Sequence, residues 1–208
     1  MIYLIGGPPR CGKTTLAKIL SQKLSIPWIS CDTLEVISGE YMSQAEWNAS
    51  HPYWLLRRKH KTNDDFYHHL PPGQIVNVLR GEARATFPAI EMMVLCEMTE
   101  GNDYIIEGYH IEPSLARMLI KKYGRKNIHA VFLVKHDAKK FVEDVHKSTT
   151  SNDWLVRGTK KQETFLKVGE MVSMYSRYIE KDVRKYGLSV LGMDKNFESQ
   201  IQKAFSLK

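Results

Sequence analysis

The chain has 208 residues, 43% hydrophobic and 25% charged, an ordinary composition for a globular protein that fills one domain with an insertion. No apolar run approaches the roughly 18 residues of a membrane span, Met1-Ile2-Tyr3-Leu4-Ile5 lacks the basic lead-in of a secretory signal, and Cys11, Cys31 and Cys96 form no CxxC pair, so a cytoplasmic protein with free thiols is expected. The net charge of +7 admits nucleic acid, a membrane surface or phosphorylated ligands, but Arg57-Arg58-Lys59 and Lys160-Lys161 are too short to favour nucleic acid.

In chain order, Ile2 to Ile5 reads as a buried strand closed by Gly6-Gly7, and Leu16, Ile19, Leu20 and Leu24 then recur at helical spacing. Pro27 to Ser30 is a second strand, ending at Cys31-Asp32. Residues 40–73 are polar and aromatic, with Trp47, Tyr53, Trp54, Phe66 and Tyr67. Helical pieces are expected there, with most of these rings forming a small core of their own. Helical periodicity returns from about Gln74 to Met98, kinked or divided at Pro88. Tyr104-Ile105-Ile106 is a third strand leading into Glu107-Gly108, and Pro113 opens a helix that Gly124 closes. His129 to Val134 is a fourth strand, followed by a helix through Phe141 and Val145. A stripe from Val168 to Val183 marks a long helix ended by Gly187; Leu188 to Leu191 make a fifth strand, and a short helix follows. Strands alternating with helices predict an α/β fold built on a parallel sheet.

Gly7-Pro8-Pro9-Arg10-Cys11-Gly12-Lys13-Thr14 matches the full GxxxxGK motif with a closing Thr, between a strand and a helix. In such a loop backbone N–H groups surround a nucleotide β-phosphate, and the helix N-terminus adds its dipole. Pro8 and Pro9 carry no N–H, so the cradle falls mainly to residues 10–14. Gly7, Arg10, Cys11, Gly12, Lys13, Thr14 and Thr15 are the expected nucleotide-binding residues. Lys13 reaches the β- and γ-phosphates of ATP, and Thr14 is the expected Mg²⁺ ligand.

A regulatory GTPase would carry DxxG after its third strand and NKxD after a later one; Glu107-Gly108-Tyr109-His110 and Lys135-His136-Asp137-Ala138 stand there instead. The acidic Asp-Glu pair of motors and helicases is missing too. GGPPRCGKTTLA, PWISCDTL, YIIEGYHIEP and the basic stretch after the fourth strand together resemble the small P-loop kinases. That group includes the shikimate, gluconate, nucleotide and 2-phosphoglycerate kinases, and the resemblance extends to the 2-phosphoglycerate-kinase-like branch. It spans nearly the whole chain except about 40–73. It implies a three-layer P-loop NTPase fold, with a five-stranded parallel sheet in the order 2-3-1-4-5, over a single domain 1–208. It also implies ATP with Mg²⁺, an acceptor-binding insertion over 40–73 extending to about 98, and a lid over 148–161. The activity implied is transfer of the γ-phosphate to a small-molecule acceptor; the alternative is a nucleic-acid-linked or regulatory P-loop ATPase.

Asp32 stands at the carboxyl end of the second strand, where the ligand crevice of such a sheet lies. In the kinases it resembles, a carboxylate there meets the acceptor hydroxyl as base or orienting group. Asp32-Thr33-Leu34-Glu35 would also cap a helix. Glu107 ends the third strand in the Walker B position, where it serves Mg²⁺ through water, the substrate, or an ion pair with a lysine. His110 borders the same crevice, as a substrate contact or a satisfied structural residue. In the lid, Arg157 is the candidate for neutralising charge on the transferring phosphoryl group, with Lys160 second. Arg177 matches a substrate-binding arginine of the relatives, or pairs on the surface with Glu180. Arg57, Arg58, Arg80 and Arg84 are the cations available to grip an acidic or phosphorylated acceptor, Arg80 and Arg84 being one helical turn apart. His51, His60, His68 and His69 are not expected to bind zinc, because adjacent histidines diverge and no cysteine or acidic residue stands at suitable spacing.

Overall fold

Five strands lie parallel in one sheet of order β2-β3-β1-β4-β5: β1 (Ile2–Gly6), β2 (Trp28–Ser30), β3 (Tyr104–Glu107), β4 (Ile128–Val134) and β5 (Ser189–Gly192). The structure, a computed structural model, describes residues 1–148, 153–195 and 199–202. β1 and β4 are near-continuous apolar runs, as strands covered on both faces must be. The crossovers are helical: α1 (Lys13–Leu24), α2 (Cys31–Gly39), α3 (Gln44–Ser50), α4 (Pro52–Arg58), α5 (Asn63–His69), α6 (Pro72–Ala85), α7 (Phe87–Thr99), α8 (Pro113–Tyr123), α9 (Ala138–Lys147), α10 (Trp154–Gly158) and α11 (Gln162–Tyr186). Residues 199–202 are helical too.

Local chemistry sets these limits. Pro52, Pro72, Pro88 and Pro113 each sit in the first turn of a helix, where a missing N–H leaves no bond unmade. Pro88 thus divides the 74–98 stretch at Thr86 rather than kinking it. The long α11 buries Val168, Met171, Val172, Tyr175, Ile179 and Val183 against the sheet and α9. Each such side chain is worth about 1.5–3 kcal/mol of burial. Gly187, in the left-handed conformation at φ 62°, then stops the helix.

Two expectations change. The second strand ends at Ser30 as expected, but Cys31 already begins α2, and the Ser30 hydroxyl, accepting the Asp32 N–H at 3.2 Å, caps that helix in place of Asp32. The aromatic segment has no separate core either. Phe66 and Tyr67 belong to the same buried cluster as the strands, with Tyr53 packed against it, while Trp54 stays exposed.

Candidate active site

The chain leaves β1 through Gly7, whose φ of 134° suits glycine and whose added Cβ would lie 2.2 Å from the Leu133 carbonyl oxygen of β4. Arg10 (φ 65°) and Gly12 (φ 92°) are also left-handed, the backbone form of an anion-binding nest at the start of α1. Lys13 is nearly buried and donates from Nζ to the Pro8 carbonyl at 2.7 Å. The Thr14 hydroxyl donates to Glu107 Oε1 at 2.9 Å.

Glu107 arrives there because the β1–β3 register sets it beside Ile5. It is only 2% exposed. Burial pushes its carboxyl up, against the charge of Lys13 and the hydrogen bond from Thr14. Cys11 contributes backbone rather than thiol chemistry: burial pushes that thiol up to about 11.

A cavity of about 370 Å³ opens over the loop. Its walls include Arg10, Lys13, Thr14, Thr15, Asp32, Glu107, Tyr109, Lys135, Asp144 and Trp154. The Asp32 side chain is 72% exposed on that wall. His110 is not on the wall: it is fully buried behind Asp32, with Nδ1 3.7 Å from Asp32 Oδ1 and Nε2 3.2 Å from Glu35 Oε1. Glu35 continues the chain to His51 Nε2 at 3.5 Å. Glu82 lies in the same buried region, its Oε2 accepting the Tyr53 N–H at 2.8 Å. Burial, and then the Glu35 charge, push its carboxyl up to about 8.

The expected lid falls partly outside the described residues, at Thr149, Thr150, Ser151 and Asn152. Beyond them Asp153 caps α10 and pairs with Arg10 Nη2 at 2.5 Å, so the phosphate loop itself touches this segment. Arg157 and Lys160 are exposed, and neither lines the cavity. Besides Arg10 and Lys13 of the loop, the cation lining that cavity is Lys135, the first residue beyond β4, whose Nζ donates to Asp144 Oδ2 at 2.8 Å. Burial opposes ionisation of Asp144, yet hydrogen bonds from Lys135 and Lys140 hold it below the usual carboxylate range.

The remaining arginines also lie off the cavity wall. Arg80 grips the buried Glu112 from Nε at 2.7 Å and lies 3.7 Å from Asp182. Arg84 is exposed near the end of α6. Arg177 is exposed and donates to Ser173 Oγ at 3.2 Å, while Glu180 pairs with Arg184 and His136. Arg57 is spent on the His60 carbonyl and Asn63 Oδ1, and Arg58 borders a shallow outer groove with Val36 and Trp47.

A sequence profile of the ATPase family associated with various cellular activities (AAA) matches residues 3–62, under half of the chain. No curated protein matches the chain. Among solved structures, a gluconokinase from Sinorhizobium meliloti 1021 is similar over 99% of this chain and 89% of that one, at 13% identity and a TM-score of 0.50. An uncharacterized protein from Eubacterium ventriosum is similar over 99% and 96%, at 16% identity and a TM-score of 0.51. The chain has the three-layer P-loop NTPase fold. In open α/β sheets of this kind the carboxyl ends of the strands carry the ligands, and by that rule Lys135 was within reach of the sequence. Tyr109, two residues past β3, carried the same signal. Asp144, in the middle of α9, carried none.

Proposed function

We propose that this protein transfers the γ-phosphate of ATP to a hydroxyl group of a small molecule. The observation that carries this reading is one cavity shared by three things: the phosphate loop with Lys13, the Thr14–Glu107 pair, and the exposed carboxylate of Asp32. A pure switch has no use for a solvent-facing carboxylate across from the phosphates.

Lys13 swings from the Pro8 carbonyl to the β- and γ-phosphates. The Thr14 hydroxyl and Glu107 carboxylate, 2.9 Å apart, are hard oxygen donors that suit Mg²⁺, directly from Thr14 and through water from Glu107. Mg²⁺ there would neutralise charge on the phosphate oxygens. Asp32 orients the acceptor hydroxyl and takes its proton as the phosphoryl group transfers, with His110, whose Nε2 meets Glu35, buried 3.7 Å behind it. Arg10 and Lys135 are better placed than Arg157 or Lys160 to meet the transferring charge, because they line the cavity. The segment from 148 to 161 serves as the lid, and residues 40–73, extending to about 98, as the acceptor side.

An acidic or phosphorylated acceptor has weak support, since Arg57, Arg58, Arg80, Arg84 and Arg177 all lie away from the wall that Asp32 and Tyr109 form. A neutral hydroxyl compound suits that wall better. Three free cysteines and the absence, among the described residues, of a helix long and apolar enough to cross a membrane support a cytoplasmic setting. The test is ADP release from ATP and Mg²⁺ with pools of hydroxylated metabolites, with DNA or RNA as the other arm. Acceptor-dependent ADP with a phosphorylated product supports the kinase. Turnover stimulated by nucleic acid alone would overturn it in favour of the regulatory ATPase.

A further inference from the structure

Outside the cavity, α5 and the turn before it bring two imidazoles onto one carboxylate. His60 Nδ1 lies 2.7 Å from Asp65 Oδ2, and His69 Nδ1 lies 3.1 Å from Asp65 Oδ1. The two rings stack at 5.5 Å between centroids. One ligand atom from each residue lies within 4.8 Å of the others. Closing onto one ion with bonds of about 2.0–2.1 Å needs ligand atoms about 3.3 Å apart in a tetrahedron, so the widest pair closes by up to about 1.5 Å. Each Nδ1 now faces Asp65 oxygens (His69 Nδ1 also the Asp65 carbonyl at 2.9 Å) and gives up its proton to ligate. Asp65 and His69 are one helical turn apart, so the backbone already aims them at the same point. That pairing is the acidic partner the histidine spacing by itself did not reveal.

We propose that His60, Asp65 and His69 bind one divalent transition-metal ion of the zinc class. Two imidazoles with one carboxylate suit borderline ions, whereas Mg²⁺ and Ca²⁺ prefer oxygen-only shells. The remaining coordination positions face solvent and take water.

The site has a mechanical consequence, because the other face of α5 seats α10. Asn63 Nδ2 donates to the Trp154 carbonyl at 3.1 Å and to Thr159 Oγ1 at 3.0 Å, and Asp64 accepts the Lys160 and Lys161 N–H groups at 2.9 and 3.2 Å. Arg57 joins the two faces, donating to the His60 carbonyl and to Asn63 Oδ1. An ion on one face therefore fixes the rotation of a helix whose other face holds the segment beside the phosphate loop.

The test is calorimetric titration of the full chain with ZnCl₂, in a Cys96→Ser background that removes the exposed thiol. One ion per chain is expected, with CoCl₂ giving a d–d spectrum that lacks a thiolate band. His69→Ala, at the exposed end of α5, and Asp65→Asn should each weaken Zn²⁺ binding by more than about tenfold. Zn²⁺ should also slow proteolysis within residues 148–161 of the parent but not of His69→Ala. No saturable binding up to about 0.1 mM Zn²⁺, or equal binding by parent and both variants, would overturn the proposal. These readouts do not involve phosphoryl transfer, so they stand or fall apart from the kinase reading.

Discussion

Replacing Arg80 separates a structural arginine from an acceptor-binding one. Glu112 is 2% exposed, and its carboxylate takes the Arg80 Nε hydrogen bond at 2.7 Å and the Tyr175 hydroxyl at 3.3 Å. Arg80→Ala leaves that carboxylate buried with, among the described residues, a single neutral donor. Stranding one partner of a buried pair costs about 3–5 kcal/mol, and Arg80 is partly solvated, so the lower end applies, about 3 kcal/mol. For a domain of this size each kcal/mol moves Tm by about 2–4 °C, so a loss of about 6–12 °C is expected. Arg80→Ala/Glu112→Leu should recover much of that loss, because no charge is then stranded. The assay is thermal unfolding of the parent, both single variants and the double variant, alongside the KM for ATP. A Tm within about 1 °C of the parent for Arg80→Ala would refute the reasoning and return Arg80 to the substrate.

Lys13→Ala should lower phosphoryl transfer at least about a hundredfold with an unchanged unfolding curve, and retained activity would remove the loop from catalysis. Asp32→Asn should reduce turnover by about 10²-fold or more while ATP affinity stays within a few-fold. A fall in ATP binding without a fall in turnover per bound ATP would assign Asp32 to the metal. Glu82 titrates near 8 in the folded chain against an ordinary 4.5, so the native state holds the extra proton. Stability should therefore fall as pH rises from about 4.5 to 8, by up to about 1.4 kcal/mol per unit, and urea unfolding of Glu82→Gln should lack that component of the slope. Gly158→Ala places a methyl 2.6 Å from Asn63 Nδ2, which is already committed to three acceptors, so α10 should lift. A cost of about 1–3 kcal/mol and faster proteolysis between residues 148 and 161 are expected; unchanged proteolysis would mean that α10 does not depend on that contact.

The phosphate loop was legible because its chemistry is local: each residue of Gly7 to Thr14 has its role fixed by neighbours in sequence. The strand positions were legible for the same reason, as apolar runs such as His129 to Val134 are read without knowing their partners. The strand order came from the resemblance to small P-loop kinases, and the order found is the same. What sequence could not show was which charges meet. Arg80 and Glu112 are far apart in the chain, and nothing near either one predicts that the guanidinium is already taken. His110 looked like a crevice residue because it follows Glu107 closely, yet the turn after β3 buries it behind Asp32. Ser30 rather than Asp32 is the cap because the extended backbone stops at Ser30 (φ −84°, ψ 139°) and Asp32 already lies in the first turn of α2. The aromatic segment resisted a reading because its rings pack on a core assembled from the rest of the chain.

The sheet order has a temporal consequence. β1, which launches the phosphate loop, is the central strand, and Ile2 pairs with Tyr104 on one side and Ile128 on the other. Gly7 leans on Leu133 of β4 as well. During synthesis β1 must therefore wait about 100 residues for β3 and a further two dozen for β4 before its partners exist. Pairings this distant in sequence are slow to form and late to be rewarded. The nucleotide pocket, although its motif follows the first strand, is thus completed only when β3 and β4 exist, and a nascent chain halted before β4 would carry the motif without the grip.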